Sequence, residues 1–331
     1  MTTATRSLVA AGAPGRGARW RRKHLTFDKV SFAVVFLGVP LVLYVVLVLS
    51  PFVQAVVYSL TSWTGFDTSM TFVGLANYVN AFTDPTFQLA VRNSVELVIV
   101  LPIVVIALAL ALASLVTIGG PSNGQVRGVR FGEFYRIVFF FPYIIPAIAT
   151  GIMWNQVFDP SNGLLNGVLT SVGLKGFASY PWLGDTRTAM VSTMFVMAWA
   201  SVGFYMVIFV AAIKALPAEI YEAARLDGAS RLRIALRITV PMLRSSIRTS
   251  LIYTGIFALD AFVFMSALNP GGGPDDSTLV ISQELFKSAF TKGQFGLACA
   301  MGVVLAGITL LFAAIVFLVD RITGGRETAG E

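Results

Sequence analysis

Apolar positions in this chain fall in long unbroken runs, without the two- or four-residue alternation of a surface strand or helix. Five stretches contain no Asp, Glu, Lys or Arg: Val30–Phe66, Leu97–Val126, Ile137–Phe158, Thr188–Ile213 and Gly293–Val319. A helix crossing a hydrocarbon layer of about 30 Å needs about 20 apolar residues, so each run is long enough for one span. A sixth run, Thr249–Leu268, carries Asp260 among almost exclusively apolar neighbours and reads as a span too. The predicted spans are Ser31–Phe52, Ser94–Ile118, Ile137–Trp154, Ala189–Ile213, Thr249–Leu268 and Leu297–Val319. The class that follows is all-α, a polytopic membrane protein of six transmembrane helices. The first run is too long for a signal peptide and no small-residue cleavage site follows it, so it is expected to be retained. Pro40, Pro102, Pro142 and Pro146 lie inside spans and are expected to bend them, which frees carbonyls that neighbouring helices must satisfy.

Charge then orients the spans. Seven Lys/Arg precede Val30, and Arg127, Arg130 and Arg136 lie between spans two and three. Lys214, Arg225, Arg231, Arg233, Arg237, Arg244 and Arg248 lie between spans four and five, and Arg321 and Arg326 follow span six. The opposite loops hold only Arg92, Lys175, Arg187, Lys287 and Lys292. Basic residues stay on the cytoplasmic side, which puts both termini inside and makes the bacterial cell membrane the expected location. The same bias accounts for the net charge of +7, so a nucleic-acid partner is not needed. The composition, 56% hydrophobic and 12% charged, excludes an ordinary soluble enzyme. One cysteine, Cys299, and one histidine, His24, exclude internal disulfides, His-ligated metal centres and histidine proton relays. The organisation read from this is a basic tail over 1–30, a membrane domain over 31–319 and a short tail over 320–331.

The link over 214–245 has more structure than a connector requires. It contains Leu216-Pro217-Ala218-Glu219-Ile220-Tyr221-Glu222-Ala223-Ala224-Arg225-Leu226-Asp227-Gly228-Ala229-Ser230. Pro217 suits a helix start, and Glu219 and Glu222 lie early, where the helix dipole favours negative charge. Ala223 and Ala224 permit close approach of another surface, and Gly228 suits a left-handed stop. A second amphipathic segment with Leu232, Leu236 and Val240 runs to Pro241. An amphipathic hairpin lying on anionic lipid would also suit the basic residues, but it does not require this order of acid, small residues and glycine.

With these residues the chain resembles the inner-membrane permeases of binding-protein-dependent ABC importers. Their hallmark reads here as Glu222-Ala223-Ala224, Asp227-Gly228-Ala229 and Ile238-Thr239-Val240-Pro241; Leu216-Pro217 and Tyr221 are similar to the carbohydrate branch. Ala235 departs from that branch, which has a large aromatic there. Gly74-Leu75-Ala76-Asn77-Tyr78, Pro142-Tyr143, Trp154, Phe158-Asp159, Gly163-Leu164-Leu165-Asn166, Gly271-Gly272-Gly273-Pro274 and the stretch from Phe290 to Gly296 also look like family motifs, in the family's order. The chain resembles the first of two paired sugar permeases and, among these, amino-sugar systems of high-GC Gram-positive bacteria, such as those for N-acetylglucosamine or its dimer.

The resemblance implies a type I ABC importer permease fold and alternating access. It implies three partners: a second permease forming a heterodimer, a cytoplasmic ABC ATPase dimer and an external solute-binding protein. Glu222, Ala223, Ala224, Asp227, Gly228 and Pro241 become the expected ATPase-coupling residues. No Gly-x-x-x-x-Gly-Lys-Ser/Thr loop occurs, so ATP hydrolysis belongs to the partner; no catalytic residue, cofactor or metal is expected here. A stand-alone secondary transporter is the competing class, but it calls for several midplane ionisable residues and only Asp260 qualifies; internal repeats are not evident. An intramembrane enzyme lacks a histidine or an acid pair. Asn155, Trp199, Tyr205, Tyr253 and Asp260 are the candidate solute-path residues, since sugars meet aromatic faces and amide or carboxylate groups; packing and interface anchoring are the plainer roles of such aromatics. Glycerol-phosphate esters are the alternative solutes, although no strongly basic pathway is visible.

Overall fold

The computed structural model describes residues 31–32, 34–66, 70–118 and 132–324. The basic tail 1–30 with His24, the link residues 119–131 with Arg127 and Arg130, and residues 325–331 with Arg326 lie outside the described residues. The described residues are almost wholly helical, and their one β-type contact is an isolated bridge between Thr61 and Phe72. The chain divides into two compact units between Val53 and Gln54.

The first long helix, α1 (Val34–Tyr58), contains two π-turns, Val34–Gly38 and Val45–Leu49. Pro40 and Pro51 each stand two residues after one of these turns, and Pro241 stands two residues after a third, Ala235–Thr239. The regularity has a steric origin. A proline ring collides with the carbonyl four residues earlier, and that carbonyl (of Phe36, Leu47 and Arg237) lies inside the π-turn each time. Widening the helix by one residue there relieves the collision without breaking the rod.

Six further elements of the second unit carry its architecture: α2 (Ala76–Thr83), α3 (Pro85–Ile118), α4 (Gly132–Ile144), α5 (Ala147–Val157), α6 (Leu164–Ser171) and α7 (Ala189–Lys214). They are followed by α8 (Ala218–Leu226), a helical run α9 over 231–242, α10 (Arg244–Leu259), α11 (Phe262–Leu268), α12 (Ile281–Phe286) and α13 (Phe295–Gly324). Helices α1, α3, α7 and α13 are each long and apolar enough to cross a membrane unaided.

Spans three and five need correction. The rod expected over Ile137–Trp154 is two helices, α4 and α5, meeting at 98°. The break falls at Ile145–Pro146: proline disfavours helical geometry in the residue before it, and Pro146 itself caps α5 with an extended ψ of 138°. The rod expected over Thr249–Leu268 is likewise α10 and α11, bent by 48° at Asp260. Among the described residues, four continuous helices are long enough to span, and the number reaches six when each bent pair is taken as one span.

Helix α7 is the centre of the packing. It is apolar on all sides because α3 and α4 cover it, and Met197, Met206, Phe209 and Ile213 are fully buried. Its contact with α4 depends on Gly203: a Cβ there would lie 1.7 Å from the Phe139 carbonyl oxygen. At the other end of the fold, buried amides and hydroxyls hold the loops to the helices. Asn93 Nδ2 donates to the Leu279 carbonyl (2.9 Å), Asn269 Nδ2 to Thr193 Oγ1 (2.6 Å), and Asn77 Nδ2 to the carbonyls of Ser59 and Thr61 (both 2.8 Å). Trp182 Nε1 donates to Asn166 Oδ1 (2.7 Å), and the fully buried Glu284 accepts from Lys292 Nζ (2.7 Å). Unpaired, each such group would cost about 1–3 kcal/mol. The Gly74–Tyr78 and Gly163–Asn166 motifs are thus loop-fixing devices.

Gly203→Ala should force α4 and α7 apart and destabilise the protein by about 1–3 kcal/mol, the usual penalty of overpacking. Gly167→Ala, at a position with open space, is the control. Thermal unfolding in detergent checks this; equal melting temperatures for the two variants would contradict the close-approach argument.

Candidate functional site

The coupling candidates form a helical hairpin between α7 and α10. Helix α8 ends in a left-handed Gly228 (φ 72°), with Ala229 N–H bonded to the Ala224 carbonyl (2.9 Å) and Gly228 N–H to that of Arg225 (3.0 Å). This six-residue closure is how a helix stops on glycine. Ser230 then caps α9 by accepting from Arg233 N–H.

The hairpin has two chemically different faces. Inward, Tyr221, Ala224, Ile234, Thr239 and Leu243 are buried. The Tyr221 hydroxyl lies 3.2 Å from Thr239 Oγ1, pinning α8 to α9. Burial raises the Tyr221 pKa above its ordinary value, and the Thr239 contact offsets part of that. Outward, Ala223, Asp227, Gly228 and Pro241 are exposed and Glu222 is half-buried. Leu226 is 89% exposed, and Leu232 and Leu236 are also open. Of the two alanines, Ala223 thus lies on the open face and Ala224 packs within the chain itself. Tyr221 as a pin and Leu226 as an exposed apolar residue were not singled out from sequence. The four-residue register puts Glu222 on one face with Ala218 and Leu226, and the register of Tyr221 with Arg225 marks the other.

The solute-path candidates do not converge on one site. Tyr205 and Tyr253 line a cavity of about 490 Å³ between α4, α7 and α10, together with Tyr143, Phe204 and Phe257. The Tyr143 and Phe204 rings stack at 4.5 Å and 17°. The remaining lining is rich in hydroxyls, from Ser201, Ser245, Ser246, Thr249 and Ser250, and it contains no Asp, Glu, Lys or Arg. Asn155 is elsewhere: its Nδ2 donates to the Ala267 carbonyl, which ties α5 to α11 and explains why an amide is there. Trp199 belongs to an aromatic cluster with Trp154, ring centroids 5.3 Å apart. Asp260 is exposed at the break between α10 and α11. Aromatic faces can cover the C–H faces of a sugar ring, and hydroxyls can exchange hydrogen bonds with its own. A lining without charge offers nothing to neutralise a phosphate or carboxylate.

Comparison with known proteins places this geometry in a family. The profile of the binding-protein-dependent transport system inner membrane component matches residues 115–324. The diacetylchitobiose uptake system permease protein NgcF of Streptomyces coelicolor is 54% identical over 94% of this chain and 88% of its own. The multiple sugar-binding transport system permease protein MsmF of Streptococcus mutans is 32% identical, over 82% and 88%. A crystal structure of a bacterial alginate ABC transporter with an alginate pentasaccharide-bound periplasmic protein superposes with a TM-score of 0.72 at 18% identity, covering 90% of this chain and 98% of that one. That likeness establishes the fold. The profile spans well over half of the sequence, and the chain belongs to the binding-protein-dependent transport system inner membrane components, the non-enzymatic permease subunits of ABC importers.

Proposed function

We propose that this permease carries a neutral amino sugar of the diacetylchitobiose class through the cavity between α4, α7 and α10. The observation that carries the proposal is the lining of that cavity, aromatic and hydroxyl-bearing and free of charged side chains. The 54% identical relative named for diacetylchitobiose uptake supports the same solute class. Glycerol-phosphate esters are disfavoured, because a phosphate stripped of water in an uncharged cavity would go uncompensated. A solute-binding protein delivers the sugar, a second permease completes the path, and an ATPase dimer drives the cycle. Family membership leaves no role for a stand-alone secondary transporter.

The ATPase docks on the open face of the α8–α9 hairpin. Exposed Leu226, Leu232 and Leu236 supply apolar area, Ala223 allows close approach, and Glu222 and Asp227 add charge. The excess of basic residues around the hairpin puts it, and both termini, on the cytoplasmic side.

Three outcomes test this. In the reconstituted transporter with its binding protein, labelled diacetylchitobiose should be taken up, and glycerol 3-phosphate should not compete. Tyr253→Ala should lower uptake about fivefold, as loss of roughly 1 kcal/mol of ring contact predicts, while the binding protein's own affinity is unchanged. Effective competition by the ester, or uptake at parental rate by the variant, would reject the neutral-sugar path. For docking, Ala223→Trp and Glu222→Lys should each reduce the ATPase that co-purifies with the permease pair, since mismatched interface charges cost several kcal/mol. Retention of ATPase and uptake in both would move the coupling site elsewhere. For orientation, in a Cys299→Ala background, a cysteine at Ser230 should be shielded from an impermeant thiol reagent in intact cells and one at Ser171 should react; the reverse pattern would invert the topology.

A further inference from the structure

A second polar cluster lies outside the hairpin and the cavity. Asp320, near the end of α13, receives two arginines from the start of α10. Arg244 Nε donates to its Oδ1 at 2.7 Å, Arg248 Nη1 donates to Oδ2, and Arg244 Nη2 donates to the Asp320 carbonyl. A guanidinium carries several N–H donors in a fixed fork, and Arg248 gives Nη1 to Asp320 with its side chain lining the groove rim. The arginine side chains remain 32% and 33% exposed. Among the described residues, one negative charge faces two positive ones, and the exposed Arg321 adds a third. Arg248 in addition sits 5.6 Å over the Phe317 ring, which holds its plane against α13.

Below the arginines the lining becomes wholly apolar. A groove of about 240 Å³ between α10 and α13 is formed by Ile247, Leu251, Ile315, Val316 and Val319, with Arg244, Arg248 and Asp320 at its rim. The rim falls where the charge-free run ending at Val319 gives way to Asp320 and Arg321. That is the level at which a helix leaves hydrocarbon for headgroups. A cationic rim over an apolar groove is complementary to one kind of molecule, an anion with a hydrocarbon chain attached.

We propose that this groove binds an anionic phospholipid, its phosphodiester on Arg248 and one acyl chain along Ile247, Leu251, Ile315 and Val319. Asp320 orients the two guanidiniums and leaves net positive charge for the phosphate. An acidic peptide segment would match the arginines but not the apolar floor. The assignment of this rim to the cytoplasmic leaflet rests on the orientation argued above. Binding itself does not, so the two can fail separately.

The test uses the complete transporter purified with its second permease and ATPase. It is exchanged into detergent micelles containing equal parts phosphatidylglycerol and phosphatidylcholine, and retained lipid is counted by native mass spectrometry. The parent should retain phosphatidylglycerol preferentially. Arg248→Gln should reduce that preference about fivefold, the effect of one arginine near an anionic lipid surface. Arg248→Lys, which keeps the charge and the stem, should preserve most of it. Asp320→Asn, which removes the competing carboxylate, should preserve or raise it. Four results would overturn the proposal. The parent could show no preference, or Asp320→Asn could lose it as fully as Arg248→Gln, which makes the cluster a helix clamp. Inorganic phosphate could displace the lipid, which makes it a free-anion site. Arg248→Gln could shed the ATPase together with the lipid, which makes it a protein contact.

Discussion

Within hydrocarbon no water is available to a backbone N–H or C=O, so every polar group of the spans must find its partner inside the protein. Proline makes this constraint visible, because it removes a donor and blocks a carbonyl at once. Pro102 is carried inside the continuous helix α3, and elsewhere the chain answers in two ways. Where the helix must continue, at Pro40, Pro51 and Pro241, a π-turn absorbs the collision. Where two prolines follow closely, at Pro142 and Pro146, the helix breaks and the chain turns by 98°. The second answer shapes the interior. Because α4 stops at Ile144, Tyr143 lies at the end of a rod and stacks on Phe204, and α5 turns to pack against α7 and α11. The Tyr143 and Phe204 rings both line the space bounded by α4, α7 and α10.

The hairpin shows how a surface element is joined to a membrane core. Its inner face is continuous with the main apolar cluster: Tyr221, Ile234 and Leu243 pack in the same set as Ile213 of α7 and Leu259 of α10. The Tyr221–Thr239 contact joins α8 to α9, and Leu243 links α9 to the first turn of α10, so the three form one packed unit. Close-packed interiors transmit shifts because they have no slack to absorb them.

The long apolar runs were legible because a membrane span has a length requirement that composition alone reveals. The α8–Gly228–α9 hairpin was legible because its punctuation is local: Pro217 at the cap, Gly228 at the stop, Ser230 at the next cap. The 98° break was not, since the prolines announced a bend but not its size. Nor could periodicity tell which face of α7 meets protein and which face of α13 meets lipid. Lipid tails and core side chains are equally apolar, so the amphipathic stripe that orients a soluble helix is missing. The fate of Asn155 was hidden for a related reason. A polar residue in an apolar run signals a hydrogen bond, but only the fold decides whether its partner is a solute or, as here, the carbonyl of Ala267. Ala224 was ambiguous in the same way until Tyr221 fixed the inner face.

The position of Asp260 bears on what the transporter can accept. It is the one carboxylate inside the predicted fifth span, and it lies at the helix break, outside the lining of the solute cavity. A carboxylate at membrane depth costs a few kcal/mol unless it meets water or a polar partner. On this chain it is exposed at the break between α10 and α11, open to a partner outside the chain. The separation has a functional logic. Were Asp260 in the cavity, it would repel anions and hold cations, and the aromatic and hydroxyl lining would no longer decide selectivity. On the proposed path, with the charge displaced to the break, the cavity offers a solute shape and hydroxyl pattern, the two properties by which one neutral sugar differs from another.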